Sequence, residues 1–111
     1  MRAGDVVRVD FGVPAGSEPG FVRPAVVVTA DAVLAHRPRT VHVAPVTSNA
    51  GRRFPTDVCV SAEGLEMDSV AQCHLCTVIS VDRIVEHAYG PIGAVGLAQV
   101  RAVLADLLDI G

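Results

Sequence analysis

Arg23 is the residue whose place in the chain most suggests chemistry. It follows the glycine-rich stretch Gly16-Ser17-Glu18-Pro19-Gly20-Phe21-Val22 and precedes Pro24-Ala25-Val26-Val27-Val28. Pro24 holds the residue before it in an extended backbone, so the arginine stands at the entrance of a buried strand and not inside it. A guanidinium fixed on such an edge can grip a phosphate through two parallel bonds. Taken alone, the same residue reads as a solvated side chain in front of a strand.

Three other groups invite a chemical reading. Cys73-His74-Leu75-Cys76 places two thiols and an imidazole close together. On a strand, however, residues three apart point to opposite faces, and the second ligand pair of a tetrahedral zinc site is missing, so packing thiols and no metal are expected. The histidines at 36, 42, 74 and 87 show no spacing that pairs an acid with a base, and read as satisfied or solvated imidazoles. Arg52-Arg53 is either a solvated loop or a pair that steers phosphate.

The bulk of the chain bounds these options. A length of 111 residues predicts one domain spanning 1–111, and a 50% hydrophobic content argues against disorder. Aromatics are 4% and Trp is absent, so the core must come from Val, Ile, Leu and Ala, which favours strands. No apolar run approaches the roughly 18 residues of a membrane span and no signal-peptide pattern opens the chain, so a cytoplasmic protein is expected. The net charge of −3 conceals an asymmetry: residues 1–55 carry seven arginines against four acids, residues 56–111 two against eight. There is no Lys, so every basic group is the planar, phosphate-matching kind, although high-GC coding bias alone would also replace Lys by Arg. Three cysteines without secretory context make a disulfide framework improbable.

The elements that must position these groups follow from periodicity. Alternation over Asp5–Phe11 predicts a half-exposed strand, residues 12–22 a glycine- and proline-rich loop, and the continuous apolar run 24–29 a central strand. A brief helix is expected over Ala32–His36, stopped by Pro38. The strand Thr40–Val46 is restricted by Pro45 to an edge or a bend. Further strands are expected at Asp57–Ser61, Ser69–Ile79 and Glu86–Pro91. From Val95 onward, Leu97, Val100, Val103, Leu104, Leu107 and Leu108 recur at helical spacing and predict one amphipathic C-terminal helix. The fold class is mainly β with helices, as a small, strongly bent barrel or paired sheets with helices outside.

Four ordered segments carry a resemblance. Gly4-Asp5-Val6-Val7 with Val9-Asp10-Phe11, then Gly16-Ser17-Glu18, then Arg23-Pro24-Ala25-Val26-Val27, then Pro45-Val46-Thr47-Ser48 are similar in order and spacing to the MazF/PemK family of toxin endoribonucleases, and Asp68-Ser69-Val70 and the terminal helix fit too. The resemblance implies an SH3-like barrel and a homodimer whose groove takes single-stranded RNA. It also implies metal-independent, sequence-selective cleavage of mRNA to 2′,3′-cyclic phosphate and 5′-hydroxyl ends, with no cofactor, and inhibition by a cognate MazE-like antitoxin. It places the catalytic arginine on Arg23 and the catalytic threonine on Thr47, and puts Glu18 on a loop where RNA and antitoxin compete.

Those residue types suit the reaction. Attack of a ribose 2′-oxygen on phosphorus builds negative charge on the non-bridging oxygens, which a guanidinium and a hydroxyl can take up. Arginine is a poor general base, so Glu18 is kept as a base or an RNA contact. Some PemK-type members carry Arg-x-Asp on the later strand; Val70-Ala71-Gln72 stands there instead, which leaves the acid and base unassigned. The RNA-contact set comprises Ser17, Phe21, Ser48, Asn49, Arg52, Arg53 and Gln72, with Phe21, Phe54 and Tyr89 as the loop candidates for stacking. The rival is a non-catalytic interaction module of the same fold, resembling the CcdB toxins that poison gyrase, or a decayed member that binds antitoxin alone.

Overall fold

The computed structural model describes residues 1–48 and 53–111. Among these are seven strands: β1 (Val6–Asp10), β2 (Val22–Val27), β3 (Thr40–Thr47), β4 (Asp57–Cys59), β5 (Val70–Gln72), β6 (Thr77–Ser80) and β7 (Ile84–Glu86). A one-turn helix α1 (Asp31–Leu34) and a long C-terminal helix α2 (Gly93–Leu107) complete the set. All pairings are antiparallel, in the order β4-β5-β3-β2-β1-β7, with β6 also on β3. The class is mainly β with helices, as expected.

The apolar run of β2 is continuous because both of its faces are covered. Ala25 and Val27 join Val7, Val9, Val41, Val43 and Ile79 in one core; Val26 joins Val6, Ala44, Val46, Ala71 and Val100 in another. The first core is enclosed by the series β7-β1-β2-β3-β6, whose outer members are joined by the 3-10 turn Val81–Arg83, giving the expected small barrel. The second lies on the other side of the sheet under α2, which sinks Val100 to zero exposure. Burying one valine in this way stabilises by about 1.5–3 kcal/mol. The expected apolar face of α2 is only partly used: Val103 and Leu104 pack on the core, whereas Leu107 and Leu108 are exposed.

Four expectations are corrected. Ser69–Ile79 is not one strand: β5 and β6 are separated by a 3-10 turn over Cys73–Leu75. Val70 and Ala71 pair with Thr47 and Val46, but Thr77 pairs with Val43, so the turn loops three residues out of register. Pro45 therefore needs no sheet edge. Its missing N–H points away from β2 to the place where β5 has ended and β6 has not begun, and a central strand accepts it. The final strand is Ile84–Glu86 instead of Glu86–Pro91, since Glu86 pairs with Arg8 and the chain then leaves β1. Helix boundaries move by a residue or two: α1 covers Asp31–Leu34, and α2 begins at Gly93. No helix among the described residues is long and apolar enough to cross a membrane.

Candidate active site

The register of β2 on β3 brings Arg23 and Thr47 together. Ala25 lies opposite Pro45; carried two residues further, the same register sets Arg23 opposite Thr47, on one face of the sheet. The intervening pair is Pro24 and Val46. A residue other than proline at 24 would donate its N–H to the Val46 carbonyl; proline has none, and the vacant carbonyl accepts from Arg23 Nη2 at 3.4 Å instead. The same Nη2 donates to Gln72 Oε1 at 3.0 Å. Pro24 thus ends the ladder and turns the arginine across its end.

Both residues line one cleft of about 420 Å³, together with Arg8, Ser48, Glu66, Ser69 and Tyr89. Arg23 is half-buried, and burial lowers the pKa of its guanidinium from its ordinary value. Its partners are two neutral oxygens, and among the described residues no carboxylate pairs with it. A partly desolvated cation without a counter-ion is a place for an anion.

Arg8, Glu66, Ser69 and Tyr89 complete the cleft; the sequence singles out Tyr89 as a loop candidate for stacking and gives Arg8, Glu66 and Ser69 no place in the site. Arg8 Nη1 donates to the Tyr89 hydroxyl at 3.2 Å, across 81 residues of chain. Tyr89 in turn lies over Gly64, whose φ is +91° and where a Cβ would meet the ring at 2.9 Å. The signal in the sequence is Arg8 among the valines of β1, which alternation explains equally well as an outward-facing side chain.

The other expected residues are dispersed. Glu18 lies in a separate hollow with Phe11, Val13, Thr77 and Arg83, and its Oε1 accepts from the Ala15 N–H at 3.1 Å, closing its own turn. Ser17 is exposed on the same loop. Phe21 is 68% exposed at φ 61°, a left-handed conformation that is uncommon for an aromatic residue and is held by Phe21 N–H to Gly12 O and Phe11 N–H to Phe21 O. Arg53 and Gln72 line a neighbouring hollow with Phe54, Asp57 and His74. Asn49 and Arg52 lie outside the described residues.

The cysteine motif sits on the 3-10 turn, so the argument from strand faces does not apply to it. Cys73 is buried, and Cys76 N–H bonds back to Cys73 O at 3.0 Å. Burial, then the neighbouring Cys76 and Asp57, raise the Cys73 thiol from 9.0 to about 11, and burial also raises Cys76. The unfolded chain releases these protons first, so the stability they contribute is complete below pH 9 and is lost as pH rises through about 11. The denaturant midpoint should fall between pH 9 and 11, and fall less in Cys73→Ala. An equal fall in both proteins would contradict this. Iodoacetamide at neutral pH should label the exposed Cys59 and spare Cys73.

Residues 2–110 match the family described as PemK-like, MazF-like toxin of type II toxin-antitoxin system. The chain belongs to this family. It is 36% identical to the endoribonuclease MazF9 of Mycobacterium tuberculosis, over 99% of this chain and 98% of that protein. The crystal structure of MazF from Deinococcus radiodurans is similar with a TM-score of 0.81 and 30% identity, covering 99% of this chain and 97% of the other. A chain in a MazE-MazF crystal structure from the same organism is similar with a TM-score of 0.76 and 27% identity, covering 100% and 98%. Membership gives the seven-stranded sheet and its terminal helix their relatives; the roles of Arg23 and Thr47 rest on the geometry above.

Proposed function

We propose that this MazF-like chain is an endoribonuclease toxin that cuts single-stranded mRNA in the cleft between Arg23 and Thr47. The observation that carries the reading is Arg23 itself: half-buried, aimed by two neutral oxygens, paired with no described carboxylate, and opposite a hydroxyl. A phosphodiester placed there meets the guanidinium fork and the Thr47 hydroxyl. The 2′-oxygen attacks phosphorus, charge grows on the non-bridging oxygens held by these donors, and the P–O5′ bond breaks as the leaving 5′-oxygen takes a proton from solvent water. The products are a 2′,3′-cyclic phosphate and a 5′-hydroxyl. Arg8 adds a second cation on the wall, suited to the next phosphate along the strand.

The proton of the 2′-hydroxyl needs an acceptor. Glu66 is the carboxylate lining this cleft, whereas Glu18 lies in the other hollow. We assign Glu66 as the base and Glu18, with Ser17 and Phe21, to the loop where RNA and antitoxin compete. Glu66→Gln should lower kcat by about 100-fold while melting curves show an intact fold. A variant with unchanged kcat would remove Glu66 from the mechanism.

The working assembly in this reading is a cytoplasmic homodimer inhibited by a MazE-like antitoxin. The non-catalytic rival leaves the Arg23–Thr47 arrangement without a purpose. Incubating purified protein with a long transcript in EDTA tests the choice. Cutting in EDTA supports the enzyme; intact RNA together with gyrase inhibition supports the rival.

A further inference from the structure

Beside the cleft lies the hollow of about 340 Å³ walled by Arg53, Phe54, Asp57, Gln72 and His74. Resting on the RNA-cleaving reading, we propose that it receives one base next to the scissile phosphate, stacked on Phe54, and selects a base bearing a carbonyl oxygen (uracil, guanine or cytosine) over adenine.

Three features of the hollow carry the inference. The first is a platform. Phe54 is 53% exposed in a chain with few aromatics, and its ring is backed by His74, with centroids 4.3 Å apart and planes 21° from parallel. One side of a π-face is therefore supported while the ring remains half open to solvent, the arrangement on which an unstacked base settles.

The second is a rigid support with unused polar capacity. Asp57, with its side chain 4% exposed, accepts the Phe54 N–H through Oδ2 at 3.0 Å and turns Oδ1 toward His74 Nδ1 at 3.7 Å. That distance is too long for a hydrogen bond, and both atoms are buried without a partner. The carboxylate thus anchors the Phe54 backbone and faces the His74 ring without bonding to it. The 3.7 Å gap is a contact that can shorten when a ligand presses the rings together.

The third is the rim. Arginine has no acceptor, so the Gln72 atom facing Arg23 Nη2 must be the carbonyl oxygen, and the amide N–H₂ is left for another partner. Arg53 supplies further donors from the opposite wall, one of them bonded to Cys59 Sγ at 2.9 Å. A donor-rich rim suits the carbonyl oxygens of uracil, guanine and cytosine, and adenine has none. The register continues the logic: Asp57 pairs with Gln72, so the platform's support and the base-reading amide share one face, and the Arg23–Gln72 bond joins that face to the phosphate site.

The test separates base binding from cleavage by using labelled 2′-O-methyl heptamers of U and of A, which lack the attacking 2′-hydroxyl. Fluorescence anisotropy should show the U heptamer bound at least about 10-fold more tightly than the A heptamer. Phe54→Ala should cost the U heptamer about 5- to 100-fold. Phe54→Leu, which keeps apolar volume but not the π-face, should lose most of the same affinity, and melting curves should show both variants folded. Shifts of the His74 ring protons on adding the U heptamer should accompany binding. Equal affinity for U and A in the unaltered protein, or undiminished affinity for the U heptamer in both variants, would overturn the proposal. Wild-type protein that cuts RNA while showing either result sinks this pocket alone; protein that binds as expected but cuts nothing sinks the cleavage reading alone.

Discussion

Arg23→Ala is expected to lower kcat for RNA cleavage by about 1000-fold without unfolding the protein, because the guanidinium supplies paired donors where transition-state charge develops. The fold tolerates the change because the residue is half-buried at a strand end and its two acceptors, Val46 O and Gln72 Oε1, border open hollows that water can reach. Arg23→Lys separates charge from shape. A point charge on a flexible stem cannot reproduce two parallel bonds, so it should recover no more than a small part of the loss. Single-turnover kinetics on a short RNA would measure both, with melting curves as the control for folding. Lysine at full activity would show that charge alone suffices and that the fork is irrelevant.

Thr47→Val is the second large effect. It keeps the volume and the β-branched shape of a residue at the end of β3 while deleting the hydroxyl, and kcat should fall by about 100- to 1000-fold. Since both groups serve one phosphate, the losses should not add. The Arg23→Ala, Thr47→Val double variant is expected to be only slightly worse than Arg23→Ala, as for groups that act as a unit. Losses that multiply fully would place the two side chains on separate steps.

The legible part of this protein was what local chemistry dictates. A continuous apolar run marked β2 as central because both its faces are covered, and Pro24 marked Arg23 because proline ends the ladder there. Pro45 misled because its tolerance depends on a gap between β5 and β6 that no neighbour in sequence announces. Cys73–Leu75 reads as strand because its residue types suit one; the three-residue offset of β6 against β3 is a property of pairing. The cleft divided in the same way. Arg23 and Thr47 were readable from junction residues and a family resemblance, whereas Arg8 and Tyr89 meet only through folding, 81 positions apart, over a glycine whose lack of Cβ admits the ring.

The central claim is that a phosphodiester bound between Arg23 and Thr47 is opened by its own neighbouring 2′-oxygen. A single 2′-deoxy substitution at the mapped cut site of a short RNA tests it most directly. The account predicts that this one change abolishes cutting there, while the unmodified RNA yields fragments whose 5′ ends accept a kinase label without prior dephosphorylation. Continued cleavage of the 2′-deoxy substrate, or fragments bearing 5′-phosphates, would contradict it.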